Sequence, residues 1–559
     1  MGAREPVFAA ACVIEDERRI GSLADLLVER PGPAISHEAA AAAVLNTELS
    51  RGFRLSERQA EVAKGLLTSG HSIDFLIGVA GSGKTSTLAA VRAGFEAAGY
   101  QVLGTATSGQ AAKALGDGAG VSSSTVASLT WRIEHGREVL GPRSVLLLDE
   151  SAMTSDADVG KLLGAVEASG AKLVAIGDFR QLSSVGPGGA LEALASRHPG
   201  HVWTLRDNLR QRDPDERHAL EHLRSGHVGS AVEWYALQDR LHPEPSREQA
   251  MSDMVSAWAD DVGKGRDALL VAYHRSSVDT LNQAARAIWE RLGRLSGPEL
   301  EAPGGRRYRA GDRVITLAPG PSGAWVTSQR AAVTFVDPAS RSLVALTPEG
   351  RLLRMGADDI GPDKLAYGFA MTAHRSQGST VDVTYALEDG GGRELAYVAM
   401  SRARAESHVY VVAPGLAQAA DRLSWAWDQE RRQSWALGNT REVNLAALVS
   451  ERAALARSVP PDRSFELSEL RRQGAVLQQD FDDLHNGAGR WERTQAGEIA
   501  HSLRRLALEY QEATKKVEGP ELGFWARRSA RRQLQDVGAR FDEALSAWER
   551  TGKPYASQL

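Results

Sequence analysis

The chain has 559 residues, of which 42% are hydrophobic and 25% charged, with a formal net charge of −5; this balance belongs to a globular protein of several domains and excludes a disordered or membrane-embedded chain. The single cysteine, Cys12, excludes an internal disulfide and a multi-cysteine zinc site, which points to a reducing, cytoplasmic compartment. The slightly acidic balance offers no basic field to announce a nucleic-acid partner, so any such role must rest on motifs.

Residues 1–50 read as helical, broken at Pro31-Gly32-Pro33 and resumed in an alanine-rich stretch at 39–44. The apolar start at 7–14 runs directly into Glu15-Asp16-Glu17-Arg18-Arg19 and lacks the basic flank of a secretory signal. No later apolar run reaches the roughly 18 residues of a membrane span. Short apolar runs then recur at 75–79, 102–106, 145–148, 173–176 and 202–205, separated by helix-length segments, the pattern of a parallel sheet in an α/β core. A second set at 268–273, 381–387 and 409–412, with a helical pattern at 278–292, implies a second such core. Between its strands, alternating segments at 313–317, 332–336, 342–346 and 352–355 are punctuated by Gly and Pro turns, as in a small β-barrel. Beyond about 415 the chain reads as a charged helical appendage. There, Arg504-Arg505 and Phe524-Trp525-Ala526-Arg527-Arg528 with Arg531 and Arg532 fit a solvated basic helix face, a docking helix or a nucleic-acid grip.

Gly78-Val79-Ala80-Gly81-Ser82-Gly83-Lys84-Thr85 matches the phosphate-loop pattern and lies where that pattern must lie, after an apolar strand and before a helix, with Ser86 following. The glycines let backbone amides approach phosphate, and the helix N-terminus adds its positive dipole end. Lys84 reaches the β and γ phosphates, and the Thr85 hydroxyl ligates Mg²⁺. The run 145–148 ends in Asp149-Glu150, putting two carboxylates at the carboxyl edge of a buried strand. Alone, such a pair also fits a helix N-terminus; after a phosphate loop, Asp149 is expected to hold Mg²⁺ through water and Glu150 to activate the attacking water.

With these motifs the chain resembles superfamily 1 helicases of the 5′-to-3′, RecD-like type, especially the helicase half of TraI/TrwC-type conjugative relaxases. Leu55-Ser56-Glu57-Arg58-Gln59 resembles the element in which Gln59 would bind adenine through its amide. Thr105-Ala106-Thr107-Ser108-Gly109 resembles a DNA-backbone segment, implying contacts from Thr105, Thr107 and Ser108. Gly177-Asp178-Phe179-Arg180-Gln181-Leu182 resembles the γ-phosphate sensor, with Gln181 coupling nucleotide to DNA. Leu209-Arg210-Gln211 and Tyr397-Val398-Ala399-Met400-Ser401-Arg402-Ala403-Arg404 would supply Arg210 and Arg402 to the γ-phosphate from opposite sides of a cleft. Thr372-Ala373-His374-Arg375-Ser376-Gln377-Gly378-Ser379-Thr380 resembles a strand-gripping segment, implying phosphate or sugar contacts from Gln377, Ser379 and Thr380.

The fold class the resemblance implies is α/β: two tandem RecA-like phosphate-loop cores, an SH3-like β-barrel insertion in the second, and helical N- and C-terminal segments. The expected division is a helical segment at 1–50, a first core at 51–225, a connector and start of the second core at 226–304, the insertion at 305–362, the rest of the second core at 363–415 and a helical appendage at 416–559. The expected activity is ATP- and Mg²⁺-dependent translocation on single-stranded DNA with duplex unwinding, in conjugative transfer or in recombination and repair. A DNA-binding module with a decayed motor and an RNA-directed relative stand as alternatives. Expected partners are single-stranded DNA and its junctions with duplex, and a relaxase or loading protein; a monomer with no membrane association is expected. The first tyrosine is Tyr100, preceded only by His37 and His71, so the tyrosine-histidine nicking centre of conjugative relaxases is expected to be absent from this sequence.

Overall fold

In the computed structural model, the described residues are 11–184 and 186–437; the arginine-aromatic cluster around Phe524 lies outside them. Asp16–Trp435 form one compact unit. Its first six strands are β1 (Ile73–Gly78), β2 (Gln101–Ala106), β3 (Ser122–Thr125), β4 (Ser144–Asp149), β5 (Lys172–Gly177) and β6 (Val202–Leu205). They make a parallel sheet in the order β3-β2-β4-β5-β1-β6. Every residue of β1 and of β5 is buried, because helices cover both faces of a parallel sheet. One face is built from residues such as Val62, Leu66, Leu88, Val91 and Phe95, the other from Leu129, Leu162, Leu163 and Leu191. The edge strand β3, a run of three serines and a threonine, carries no apolar signal and escapes the sequence pattern.

Next come β7 (Leu241–Glu244) and β8 (Ala268–Ala272), then seven strands of a different kind: β9 (Ser296–Glu301), β10 (Arg307–Ala310), β11 (Arg313–Thr316), β12 (Arg330–Asp337), β13 (Ser342–Leu346), β14 (Leu352–Met355) and β15 (Leu365–Tyr367). β11 to β15 form an antiparallel sheet in the order β14-β13-β12-β11-β15. The β9–β10 ribbon shares its core through Leu300 and Tyr308. These strands occupy a wider span than the 305–362 suggested by the turn pattern. The chain returns with β16 (Ala370–Thr372), β17 (Val381–Leu387) and β18 (Ala403–Val412), completing a second parallel sheet in the order β16-β8-β17-β18-β7.

The second sheet carries an unusual stack, in which the half-buried His242 and His408 lie ring to ring between the buried Tyr385 and Tyr410. Burial and the neighbouring His242 push His408 down to about 4, and burial lowers His242 as well. Unfolded imidazoles titrate near pH 6.5. As pH falls from about 6.5 toward 4, the unfolded chain takes up protons that the folded chain refuses, so stability present above 6.5 is lost. His408→Gln is therefore expected to flatten the fall in melting temperature across this window; a slope equal to the parent's would refute it.

A strap at 429–435 ties the second sheet's surroundings to the first. Arg431 N donates to Glu394, Arg432 pairs with Glu192 at 2.6 Å, and Trp435 Nε1 donates to Asp156 at 2.9 Å. No helix among the described residues is long and apolar enough to cross a membrane.

Candidate nucleotide site

In the first sheet β5 separates β1 from β4, so three turns open side by side at one carboxyl edge: the phosphate loop after β1, Asp149-Glu150 after β4, and the Asp178–Gln181 turn after β5. This is where open α/β sheets bind ligands. The helix Lys84–Ala97 begins at the loop with no side-chain cap, which leaves its first amides to an anion. Gly81 and Gly83 both take positive φ, 77°, and a Cβ at Gly83 would lie 2.0 Å from Gln59 Nε2 while one at Gly81 would lie 2.5 Å from Arg210 Cβ. Only glycine satisfies both the conformation and the clearance. Lys84 Nζ donates to Gly78 O at 2.8 Å and Val79 O at 3.3 Å. The Ser82 hydroxyl is buried with no hydrogen-bond partner, while Thr85 and Ser86 are half-buried beside it.

Burial and the adjacent Glu150 push Asp149 up to about 7, with Lys84 pulling the other way. A divalent cation would offset that desolvation and repulsion, so the hard oxygen donors Thr85 and Asp149 fit Mg²⁺. Glu150 takes a left-handed backbone conformation, φ 49°, rare for a residue with a Cβ and strained.

Two arginines face these groups. Arg210 Nη1 donates to Ser401 O at 2.8 Å, and Arg402 donates through Nε to Val398 O and through Nη2 to Ser401 Oγ. Arg210 follows β6 of the first sheet, and Arg402 immediately precedes β18 of the second. Burial, with Arg210 beside it, pushes Arg402 down to about 9; burial also lowers Arg210. Both guanidiniums remain charged at neutral pH, so the cleft stores positive charge that a polyphosphate would neutralise.

Residues 54–245 match the family model described as an AAA domain. Over 422 residues the chain is 32% identical to the probable conjugal transfer protein TraA of Sinorhizobium fredii, covering 75% of this chain and 37% of that protein. It is 28% identical over 365 residues to the ATP-dependent RecD2 DNA helicase of Deinococcus radiodurans, covering 63% of this chain and 48% of that one. A crystal structure of Bacteroides Pif1 bound to ssDNA superposes with a TM-score of 0.44 at 19% identity, over 65% of this chain and 95% of that one. The chain is related to the RecD-like superfamily 1 helicases. It spans about a third of the length of the TraA proteins that it matches, 34% to 37%.

Against this RecD-like background, several residues sit elsewhere than their motifs imply. Thr105 is fully buried near the carboxyl end of β2, paired on both sides by β3 and β4, so its side chain is not on the surface where the motif would place a nucleic-acid contact. Thr107 is half-buried and Ser108 exposed, with Ser108 Oγ accepting from Ala111 N to cap the helix Gly109–Ala119. The antiparallel body approaches this turn, since a Cβ on Gly109 would lie 3.0 Å from Val326 Cβ. Ser379 and Thr380 are half-buried.

Gln377 also sits elsewhere than its motif implies. Its amide points into the cleft and donates to Glu150 Oε2 at 3.0 Å and Gln181 Oε1 at 3.3 Å. Gln59 is already engaged: Oε1 accepts from Ser56 N in a capping box and Nε2 donates to Ser82 O. A side-chain amide has two N–H groups, so adenine would have to use the second one, and Gln59 also props the phosphate loop.

The sequence reading missed three partners. Arg224 grips Asp178 at 3.0 Å and so braces the sensor turn. The Tyr397 hydroxyl accepts from Ala80 N across the two sheets. Gln211 Nε2 donates to Ser401 O and Ala403 O. All three contacts join segments far apart in the chain, and nothing local announces them.

Among the described residues, one other cluster has metal-ligand composition, His71, Asp74 and His201. Asp74 is saturated by donors from Ser69, His71, Lys172 and Trp203. The two imidazoles lie against each other, tilted, with ring centroids 3.9 Å apart. Lys172 already supplies the cation there, so the cluster is a buried ion pair that braces β1 against β5.

Proposed function

We propose that this chain is an ATP-hydrolysing helicase that moves 5′ to 3′ along single-stranded DNA and unwinds at junctions with duplex, in conjugative transfer or in recombination and repair. In this reading the two parallel sheets are RecA-like cores, the strands of the first within 51–225 and those of the second within 226–304 and 363–415, and the antiparallel body that interrupts the second, β9 to β15, is an SH3-like insertion. The observation that carries it is the meeting of Lys84, Glu150 and Gln181 on one carboxyl edge with Arg210 and Arg402, the latter from the other sheet.

Lys84 and the amides of Ser82 to Ser86 would cradle the phosphates, with Gly78, Gly81 and Gly83 allowing close approach. Mg²⁺ held by Thr85 and Asp149 would neutralise phosphate charge. Glu150 takes a proton from water as its oxygen bonds to the γ-phosphorus; the bond from phosphorus to the bridging oxygen breaks, and ADP departs with the electron pair. Arg210 and Arg402 stabilise the charge that develops. Because Arg402 belongs to the second sheet, full stabilisation requires a closed cleft, and hydrolysis relaxes it; that alternation is the step of a motor. Thr107, Ser108, Ser379 and Thr380 are the proposed backbone contacts, which would hold any sequence.

The test is phosphate release with and without a single-stranded oligonucleotide, RNA of the same sequence serving as competitor. DNA-stimulated turnover that vanishes in Glu150→Gln supports the proposal. Turnover indifferent to DNA, or stimulated equally by RNA, overturns the DNA-motor reading.

A further inference from the structure

Gln377 stands in a segment whose two ends face different ways. It follows the short helix Ala373–Ser376, and beyond the exposed Gly378 come the half-buried Ser379 and Thr380. Then Val381 N donates to Arg402 O at 3.1 Å. Within five residues the chain therefore touches the water-activating carboxylate at one end and the arginine-bearing turn at the other. Gln377 Nε2 binds Glu150 Oε2 and lies 3.3 Å from Gln181 Oε1. Its own Oε1 is buried and without a hydrogen-bond partner. An unpaired buried acceptor is costly, and a water held for attack on a phosphate would supply the missing donor.

We propose that Gln377 is a positioning residue for ATP hydrolysis: from the second sheet it fixes the Glu150 carboxylate and orders the attacking water, and it does not grip the nucleic acid strand. This rests on the reading of Glu150 as the water-activating base. A neutral amide suits the task because it donates to a carboxylate and accepts from water without changing charge. A strand held by Ser379 and Thr380 would shift Gln377 and Arg402 together, since both are fastened to the same stretch of chain. DNA occupancy would thus set the geometry of hydrolysis through this segment.

The experiment compares the parent, Gln377→Ala, Glu150→Gln and the double variant, measuring ATP turnover at saturating oligonucleotide and oligonucleotide affinity by fluorescence anisotropy. Gln377→Ala is expected to lower kcat about 10- to 100-fold, the usual cost of losing a residue that orients a functional group. KM for ATP and Kd for DNA should stay within about threefold. Added to Glu150→Gln, it should cost no more than about twofold, because residues acting through one another are not additive. A weakened DNA Kd with kcat restored at saturation would overturn the inference and return Gln377 to the grip; an unchanged kcat, or a full further loss on Glu150→Gln, would also overturn it. If the alanine variant does not fold, Gln377→Glu keeps the shape while setting a carboxylate against Glu150. It should lose kcat at least as heavily with DNA affinity intact, and normal turnover there would sink the inference. A parent without DNA-stimulated turnover would instead defeat the helicase reading itself, which separates the two failures.

Discussion

Arg402→Ala is expected to lower ATP turnover by about 10³-fold or more, the range for loss of an arginine that stabilises a transferring phosphoryl group, while nucleotide still binds. Arg402 is buried, lies beside a second guanidinium, and donates hydrogen bonds only to its own turn, at Val398 O and Ser401 Oγ. Two like charges held out of water cost stability that a polyphosphate returns. Without nucleotide the variant should therefore melt within a few degrees of the parent, while the rise in melting temperature on adding a non-hydrolysable ATP analogue should shrink. Arg402→Lys should not restore turnover, because an ammonium cannot reproduce the planar fork. A fully active lysine variant, or an alanine variant retaining a tenth of parental turnover, would rule out the assigned role.

Lys84→Ala should reduce turnover by roughly 10²- to 10³-fold, the usual loss when one preorganised donor to developing charge is removed, and should weaken nucleotide binding too. The ammonium already bridges Gly78 O and Val79 O, so it is pre-positioned within the loop whose phosphates it would meet. Circular dichroism should remain that of the parent, since Lys84 is only half-buried and packs in no hydrophobic core. Undiminished phosphate release by this variant would mean that the loop is not the site of hydrolysis.

The apolar runs at 75–79, 145–148 and 173–176 correspond to strands β1, β4 and β5 because a doubly covered parallel sheet demands unbroken hydrophobic segments. The strands without such a run, β3, β7 and β16, are short edge strands whose partners rather than their composition make them strands. The burial of Thr105 was illegible for a related reason. A motif string does not say where a strand ends, and β2 continues through Ala106, which leaves Thr105 inside the sheet and only Thr107 and Ser108 beyond it.

What the sequence determined by itself is the phosphate loop and its acidic companion pair. A strand, a glycine turn and a helix N-terminus must be contiguous to cradle phosphate, and carboxylates ending an apolar run must emerge at the sheet's edge, so local chemistry and local order coincide. Tertiary structure alone decided which distant groups meet them. Arg210, Tyr397, Ser401 and Arg402 converge because two sheets face one another, and Gln377 reaches Glu150 across 227 residues. Gln59 divides its amide between a helix cap and the loop. Residue type supplies the donors and acceptors; their pairing depends on orientation and burial, which exist only once the sheets have packed.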